Sequence, residues 1–121
     1  FLTVLCVMFC LSLSISAEPR YSDNCTITQT LSFSSSEASC YTRIKGKTGT
    51  TGISNCTITL TDSNGSVVKS WKNLSATGST LTFLKTVSGV TKGETYTLSV
   101  TATVKTNGSS ENVSDSVTKT Y

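Results

Sequence analysis

Apolar and hydroxyl-bearing side chains alternate along most of the chain beyond residue 24. From Cys25 to Phe33 every second position is apolar except Gln29, and threonine or serine fills the positions between. The alternation is most regular from Thr95 to Lys105. A two-residue repeat is the side-chain repeat of a β-strand with one face buried and the other in water. The pattern therefore predicts strands.

Seven segments follow this pattern, and no segment shows helical periodicity. The predicted strands cover 25–33, 38–44, 53–61, 67–71, 79–87, 95–105 and 112–121. Turns or irregular segments are predicted at 34–37, 45–52, 62–65, 73–78, 88–93 and 107–108. The Asn64-Gly65 pair favours a type I′ hairpin, in which both central residues have positive φ. Short strands with a turn about every ten residues predict an all-β antiparallel sandwich.

The chain begins with an apolar segment that is too short to be a membrane span. Residues 1–15 are apolar or small, and Ser16-Ala17 precede the polar Glu18-Pro19-Arg20. A spanning helix needs about 20 apolar residues, whereas a secretory signal has a shorter run followed by small residues. We therefore predict a signal peptide over 1–17, an N-terminal extension over 18–24 and one domain over 25–121. Cleavage is expected after Ala17, with Ser16 as the alternative, which leaves a secreted protein without a membrane span.

Three cysteines remain beyond the predicted signal, and export would place them in an oxidising compartment. Cys25 and Cys56 have matching contexts, Asn-Cys-Thr-Ile-Thr, and both are expected to begin strands near one end of the domain. A Cys25–Cys56 disulfide is the favoured pairing, and Cys40–Cys56 is the alternative. Either bridge would contribute about 3 kcal/mol. Three buried thiols are the remaining interpretation.

The amino-acid composition limits which reactions and ligands the chain can support. The chain has no histidine, which removes the usual general base and the commonest metal ligand. Its carboxylates fall mostly at turns and ends, and the turn at Asp62–Gly65 lacks the further ligands of a calcium loop. The net charge of +3 comes from scattered lysines. The chain lacks the run of basic residues that is typical of a nucleic-acid-binding protein. We expect no enzyme activity, no cofactor, no metal and no nucleic-acid partner.

Trp71 is the single tryptophan and the strongest candidate for a ligand contact. It lies in Lys69-Ser70-Trp71-Lys72, between cations on a predicted edge strand. Packing against the core at a strand end is the competing role for a tryptophan in this position. The sequence leaves both roles open.

The segment from Val87 to Val104 resembles the corner and following strand of fibronectin type III and related immunoglobulin-like domains. Tyr96 matches their corner tyrosine, and the resemblance implies that its hydroxyl bonds to nearby backbone. It also implies an immunoglobulin-like sandwich of about seven strands.

The whole layout is similar to an uncharacterised family of short secreted proteins from Clostridia-like bacteria, through Pro19-Arg20-Tyr21 and the closing Thr118-Lys119-Thr120-Tyr121. That family brings no known activity.

These observations favour a secreted, noncatalytic binding or structural module that acts at the cell exterior. Its ligand is unknown, and a cell-surface glycan or protein is the expected class of partner. A small secreted effector, such as a bacteriocin-like or toxin-like factor, is the alternative. Fold analogy assigns no partner by itself.

Overall fold

The structure is a computed structural model that describes the backbone of residues 20–21 and the whole of residues 25–121. This part of the chain contains strands and turns but no helix. The strands are β1 (Arg20–Tyr21), β2 (Cys25–Ser34), β3 (Glu37–Gly46), β4 (Thr50–Thr61), β5 (Val67–Thr77), β6 (Thr80–Ser88), β7 (Thr95–Thr106) and β8 (Ser109–Thr120). The predicted signal, 1–17, lies outside the described residues, as does most of the predicted extension.

The strands form two four-stranded sheets packed face to face. One sheet has the order β1-β2-β3-β6 and the other the order β5-β4-β7-β8. Every pairing is antiparallel, and the connections β3–β4, β5–β6 and β6–β7 pass from one sheet to the other. The predicted antiparallel β-sandwich of about seven strands is confirmed, with the two-residue β1 added at the edge of β2.

The core lies between the sheets and is built from the inward residues of the alternating pattern. Tyr96, Leu98, Val100, Ala102 and Val104 of β7 are all buried. The other buried apolar residues are Cys25, Ile27, Leu31, Ala38, Cys40, Ile44, Ile53, Cys56, Ile58, Leu60, Leu81, Phe83, Val90, Val113 and Val117. Each buried aliphatic side chain contributes about 1.5–3 kcal/mol relative to exposure in water. This burial fixes which face of every strand points outward.

The tight hairpin turns differ from the prediction. The turn with two positive φ values is Ser35–Ser36, at 52° and 63°. In the turn after β4 only Gly65 has positive φ, and its N–H donates to the Asp62 carbonyl at 3.0 Å. The predicted type I′ turn at Asn64-Gly65 is therefore wrong. Asp62 Oδ1 accepts N–H bonds from Asn64 at 2.9 Å and Ser66 at 3.0 Å, which stabilises a longer turn.

Several strands are longer than their sequence pattern indicates. The segment 73–78 was predicted to be irregular, but β5 continues to Thr77, and β4 already begins at Thr50. Asn55 and Asn73 adopt positive φ, at 50° and 57°, at irregularities in the β4–β5 and β4–β7 pairing. Bulges of this kind shift the side-chain alternation without ending the ladder, so a strict two-residue pattern misses the extra pairs.

The corner tyrosine makes the bond that the resemblance implies. Tyr96 Oη accepts the N–H of Thr91 at 2.8 Å, while the ring is buried against the core. This bond ties the turn before β7 to the strand itself.

The C-terminal residue is anchored rather than loose. Tyr121 stacks on Phe33 with ring centroids 4.9 Å apart, and its hydroxyl accepts the N–H of Ser36 at 3.0 Å. Its backbone N–H donates to the Glu94 carbonyl at 2.9 Å, and its carbonyl accepts from Gly93 at 2.8 Å. The end of the chain thus holds the β2–β3 turn and the start of β7 together.

Candidate functional site

Trp71 lies on β5, which is an edge strand as predicted. Its ring is half-buried and meets Phe83 of β6 edge-on, with centroids 4.9 Å apart and planes at 64°. This contact joins the edge strands of the two sheets, so the packing role of Trp71 is present. Ligand stacking on the part of the ring that stays exposed remains a prediction.

The three cysteines of the domain are buried, and no disulfide is present among the described residues. Cys56 lies well inside β4, which begins at Thr50, so the expectation that it begins a strand is wrong. The reason is that main-chain pairing with β7 starts before the alternation becomes visible. Burial raises the pKa values of the Cys40 and Cys56 thiols from 9.0 to about 11. The Cys25–Cys56 and Cys40–Cys56 pairings both stay predictions.

The carboxylates form no recognisable reaction centre in the described part of the chain. Asp62 serves as a backbone acceptor in its turn, and Glu94 accepts a bond from the Ser63 hydroxyl at 3.3 Å. Among residues 20–21 and 25–121, no group of three or more acidic, cysteine or histidine side chains is placed to hold a metal ion. The same residues include no helix of the length and apolarity that crossing a membrane requires.

The outer surface of the sheet β5-β4-β7-β8 carries a regular array of hydroxyl groups. The register aligns outward residues of β4, β7 and β8 in four rows of three. The rows are Thr61–Thr97–Thr118, Thr59–Ser99–Ser116, Thr57–Thr101–Ser114 and Ser54–Thr103–Asn112. We call these positions the hydroxyl face. None of them is buried, and none carries charge.

The hydroxyls of this face differ in how fully they are engaged. Thr97 and Thr118 bond to each other at 2.9 Å, and Thr103 donates to Asn112 Oδ1 at 3.0 Å. By contrast, Thr57, Thr101 and Ser114 make no side-chain hydrogen bond within the described residues. Each hydroxyl both donates and accepts. The third row therefore offers unengaged groups to an external partner.

An open hollow lies over Thr101 and Ser114 of this row. The β4 bulge places exposed Asn55 beside it, and the lining comprises Asn55, Thr101, Ala102, Thr103, Asn112, Val113 and Ser114. The hollow is thus lined mainly by amides and hydroxyls and has no ionisable side chain. A second open hollow, around the β7–β8 turn at Asn107-Gly108, adds Lys105 at the end of the same face.

The hydroxyl face was not identified from the sequence. The outward threonines of β4 and β7 are visible as Thr-x-Thr repeats, but the pattern does not say which strands are neighbours. Strand order β4-β7-β8 brings together residues more than 50 positions apart, such as Thr57 and Ser114. The repeats were the available signal, and the strand order was the missing information.

Comparisons with known proteins give structural neighbours only. The sequence matches no protein-family model and no curated protein. β-Glucuronidase 2 from Bacteroides uniformis is similar at a TM-score of 0.49 and 15% identity, over 83% of this chain and 13% of that protein. The sporulation control protein Spo0M from Bacillus subtilis is similar at 0.47 and 11% identity, over 79% and 49%. The β-glucuronidase from Parabacteroides merdae is similar at 0.44 and 12% identity, over 79% and 13%.

This chain therefore spans less than half of the length of any of these three proteins. At such identities a likeness concerns the fold alone, and the activities named belong to those proteins. The β-sandwich is established by the strand order and pairing of the chain itself.

Proposed function

We propose that this chain is a secreted, noncatalytic module that binds a neutral polysaccharide at the cell exterior through its hydroxyl face. The observation that carries the proposal is the unengaged row Thr57–Thr101–Ser114, of which Thr101 and Ser114 line the Asn55 hollow. Hydroxyl and amide groups pair with sugar hydroxyls as donors and acceptors at once. An uncharged face suits an uncharged polymer, because neither partner must strip water from an ion.

The noncatalytic part of the proposal is supported by what the chain lacks. It has no histidine to activate a serine or threonine, and a hydroxyl without a neighbouring base is a weak nucleophile. The hydroxyl face itself contains no carboxylate that could act as an acid or base. Export is supported by the signal-like segment 1–17.

The test is binding of the purified protein to insoluble neutral polysaccharides, such as cellulose, chitin and β-glucan, with paired variants. Thr101→Lys places a long, charged side chain in the centre of the unengaged row. Its matched control, Thr82→Lys, makes the same change on the exposed outer face of β6 in the other sheet. We expect Thr101→Lys to weaken binding about tenfold or more and Thr82→Lys to leave it unchanged. Equal binding by the two variants, or no binding to any of the polymers, would rule out this face.

A further inference from the structure

Two lysines lie at corresponding positions on β5 and β6, the strands that flank the open side of the sandwich. These strands are edges of opposite sheets and are joined by the short connection at Gly78-Ser79. They run in opposite directions, and the ring contact between Trp71 and Phe83 shows which positions of the two strands correspond. Lys69 lies two residues before Trp71, and Lys85 lies two residues after Phe83. The two lysines therefore occupy matching positions beside the aromatic pair.

Both lysines are at inward-facing register positions but remain exposed. Lys69 pairs with Leu60 and Lys85 with Cys40, and both of these partners are buried. Alternation therefore directs the two ammonium groups toward the gap between the sheets rather than toward the outer faces. Each stem covers the core edge while its charged end reaches water.

The charged side chains of the two strands on this side are all basic. A third exposed lysine, Lys72, follows Trp71 on β5, and neither β5 nor β6 contains a carboxylate. No acidic residue occupies a register position beside Lys69 or Lys85. Two like charges that face each other without a counterion raise the local affinity for an anion, which reduces their repulsion.

Trp71 supplies the other half of a binding surface. Its ring is only half-buried, and its indole N–H makes no hydrogen bond within the described residues. A tryptophan combines an apolar ring with one donor, so it suits a partner that has both a flat ring and acceptor oxygens.

An inward lysine on an edge strand also has a simpler role, since it discourages pairing with other strands. Each lysine can serve that role for its own strand, Lys69 for β5 and Lys85 for β6. That role does not account for the indole N–H beside them, which has no hydrogen-bond partner within the described residues.

We propose that the side defined by Lys69, Trp71 and Lys85 binds an acidic polysaccharide, with a sugar ring against the indole and its carboxylate between the two ammonium groups. This surface is separate from the hydroxyl face, which is the outer side of one sheet, and its proposed ligand carries charge. The chain thus has one surface for a neutral polymer and another for an anionic one.

Binding to alginate, a soluble polyuronate, tests this proposal by titration followed through Trp71 fluorescence and by affinity electrophoresis. We expect the Lys69→Gln/Lys85→Gln variant of the full protein to lose about tenfold or more in affinity, equivalent to about 1.4 kcal/mol. The control Lys92→Gln/Lys119→Gln removes two exposed lysines elsewhere and leaves the same net charge. It should change affinity less than about twofold, and Thr101→Lys should still bind alginate.

Trp71→Phe keeps an aromatic contact with Phe83 and should weaken alginate binding without preventing folding, as judged by circular dichroism. Added salt should weaken binding of the wild-type protein. An equal loss in both lysine pairs would overturn the proposal in favour of diffuse charge attraction. Polyphosphate binding that matches alginate and ignores Trp71→Phe would assign the side to phosphate instead. Absence of alginate binding by the wild-type protein would also overturn it, whatever the result with neutral polymers.

Discussion

Individual contacts at the ends of the strands stabilise this sandwich. The β2–β3 turn places two non-glycine residues, Ser35 and Ser36, in the left-handed region, where side chains carry a steric penalty. The Tyr121 hydroxyl compensates by accepting the Ser36 N–H, and the Ser36 carbonyl accepts the N–H of Gly89 at 3.0 Å. A strained local conformation persists here because distant parts of the chain bond to it.

Removing the Tyr96 hydroxyl should destabilise the fold. In Tyr96→Phe the Thr91 N–H loses its acceptor at 2.8 Å in a part-buried position, while the ring remains in the core. We expect the free energy of unfolding to fall by about 1–3 kcal/mol, measured by urea denaturation. Tyr41→Phe is the matched control, because Tyr41 lies half-buried on an outer face and makes no described hydrogen bond. Equal effects of the two changes would show that the corner bond contributes nothing specific.

Gly46 is required for close packing rather than for an unusual φ. A Cβ at Gly46 would collide with the side chain of Thr50, whereas one at Gly52 would meet only the Ala76 carbonyl oxygen at 3.6 Å. We expect Gly46→Ala to lower the melting temperature through an overpacking cost of about 1–3 kcal/mol. Gly52→Ala should change it far less. A similar melting temperature for both variants would contradict the collision.

The buried thiols should make stability fall at high pH under reducing conditions. Burial holds the pKa values of Cys40 and Cys56 at about 11 in the folded state, against 9.0 as the ordinary value. The unfolded chain then releases protons between these values while the folded chain retains them. The contribution is complete below pH 9.0 and is lost as the pH rises toward about 11. Urea midpoints across this range should fall more steeply for the wild type than for Cys40→Ala/Cys56→Ala, and parallel slopes would exclude the thiols as the cause.

At the scale of strands, the edges of both sheets carry polar groups at inward positions. β2, which β1 covers only at Thr26 and Ile27, has Gln29, whose amide donates to Thr42 at 3.1 Å while its carbonyl oxygen has no partner among the described residues. The corresponding residues of the other edge strands are Lys69 and Lys85 on β5 and β6, and Glu111, Asp115 and Lys119 on β8. An added strand would bury the charged groups, so they oppose edge-to-edge association, whereas Gln29 is already buried.

Replacing Asp115 by an apolar residue should allow β8 to pair with strands of other molecules. β8 forms an uninterrupted ladder with β7 over its whole length, and Asp115 lies between the inward residues Val113 and Val117. We expect Asp115→Val to create an apolar edge and to increase dimerisation or aggregation, measured by sedimentation. Asp115→Asn retains an inward polar group and should behave as the wild type does. A monomeric Asp115→Val protein would show that another feature protects this edge.

At the scale of the whole molecule, the two sheets should separate and unfold together. Trp71 is the only tryptophan, and its contact with Phe83 joins the edge strands of both sheets. Its fluorescence therefore reports docking of the sheets, whereas far-UV circular dichroism reports the strands. We expect the two signals to give the same urea transition, as a small two-state domain does.

Two variants test whether the Trp71–Phe83 contact determines the fluorescence signal. Phe83→Leu should alter the emission of Trp71 and lower stability by about 1 kcal/mol, since Phe83 is buried in the core. Leu84→Ala, at a neighbouring position that is 61% exposed, should change neither. If the fluorescence transition preceded the loss of strands, the sheets would undock before they melt.

Which side chains face the interior can be read from the alternation along the chain. Alternation over β2, β4 and β7 places Ile27, Ile58 and Val100 inward, because the pleat of a strand sends successive side chains to opposite faces. The resemblance to the fibronectin type III corner also implied that the Tyr96 hydroxyl bonds to nearby backbone, and the structure identifies Thr91 as the donor. The ends of the strands and the types of turn were harder to predict from the sequence. The bulges at Asn55 and Asn73 disturb the alternation, and the Asp62 carboxylate selects a turn that the Asn-Gly pair alone does not indicate.

The strand neighbours, and with them the two candidate surfaces, are known only from the pairing in the folded chain. The hydroxyl face requires β4, β7 and β8 in adjacent positions, and the lysine pair requires β5 and β6 to face each other from different sheets. Alternation specifies the face of each strand but is equally satisfied by many strand orders. The order is fixed by long-range pairing and by the packing of both inner faces into one core, neither of which is a property of any single segment.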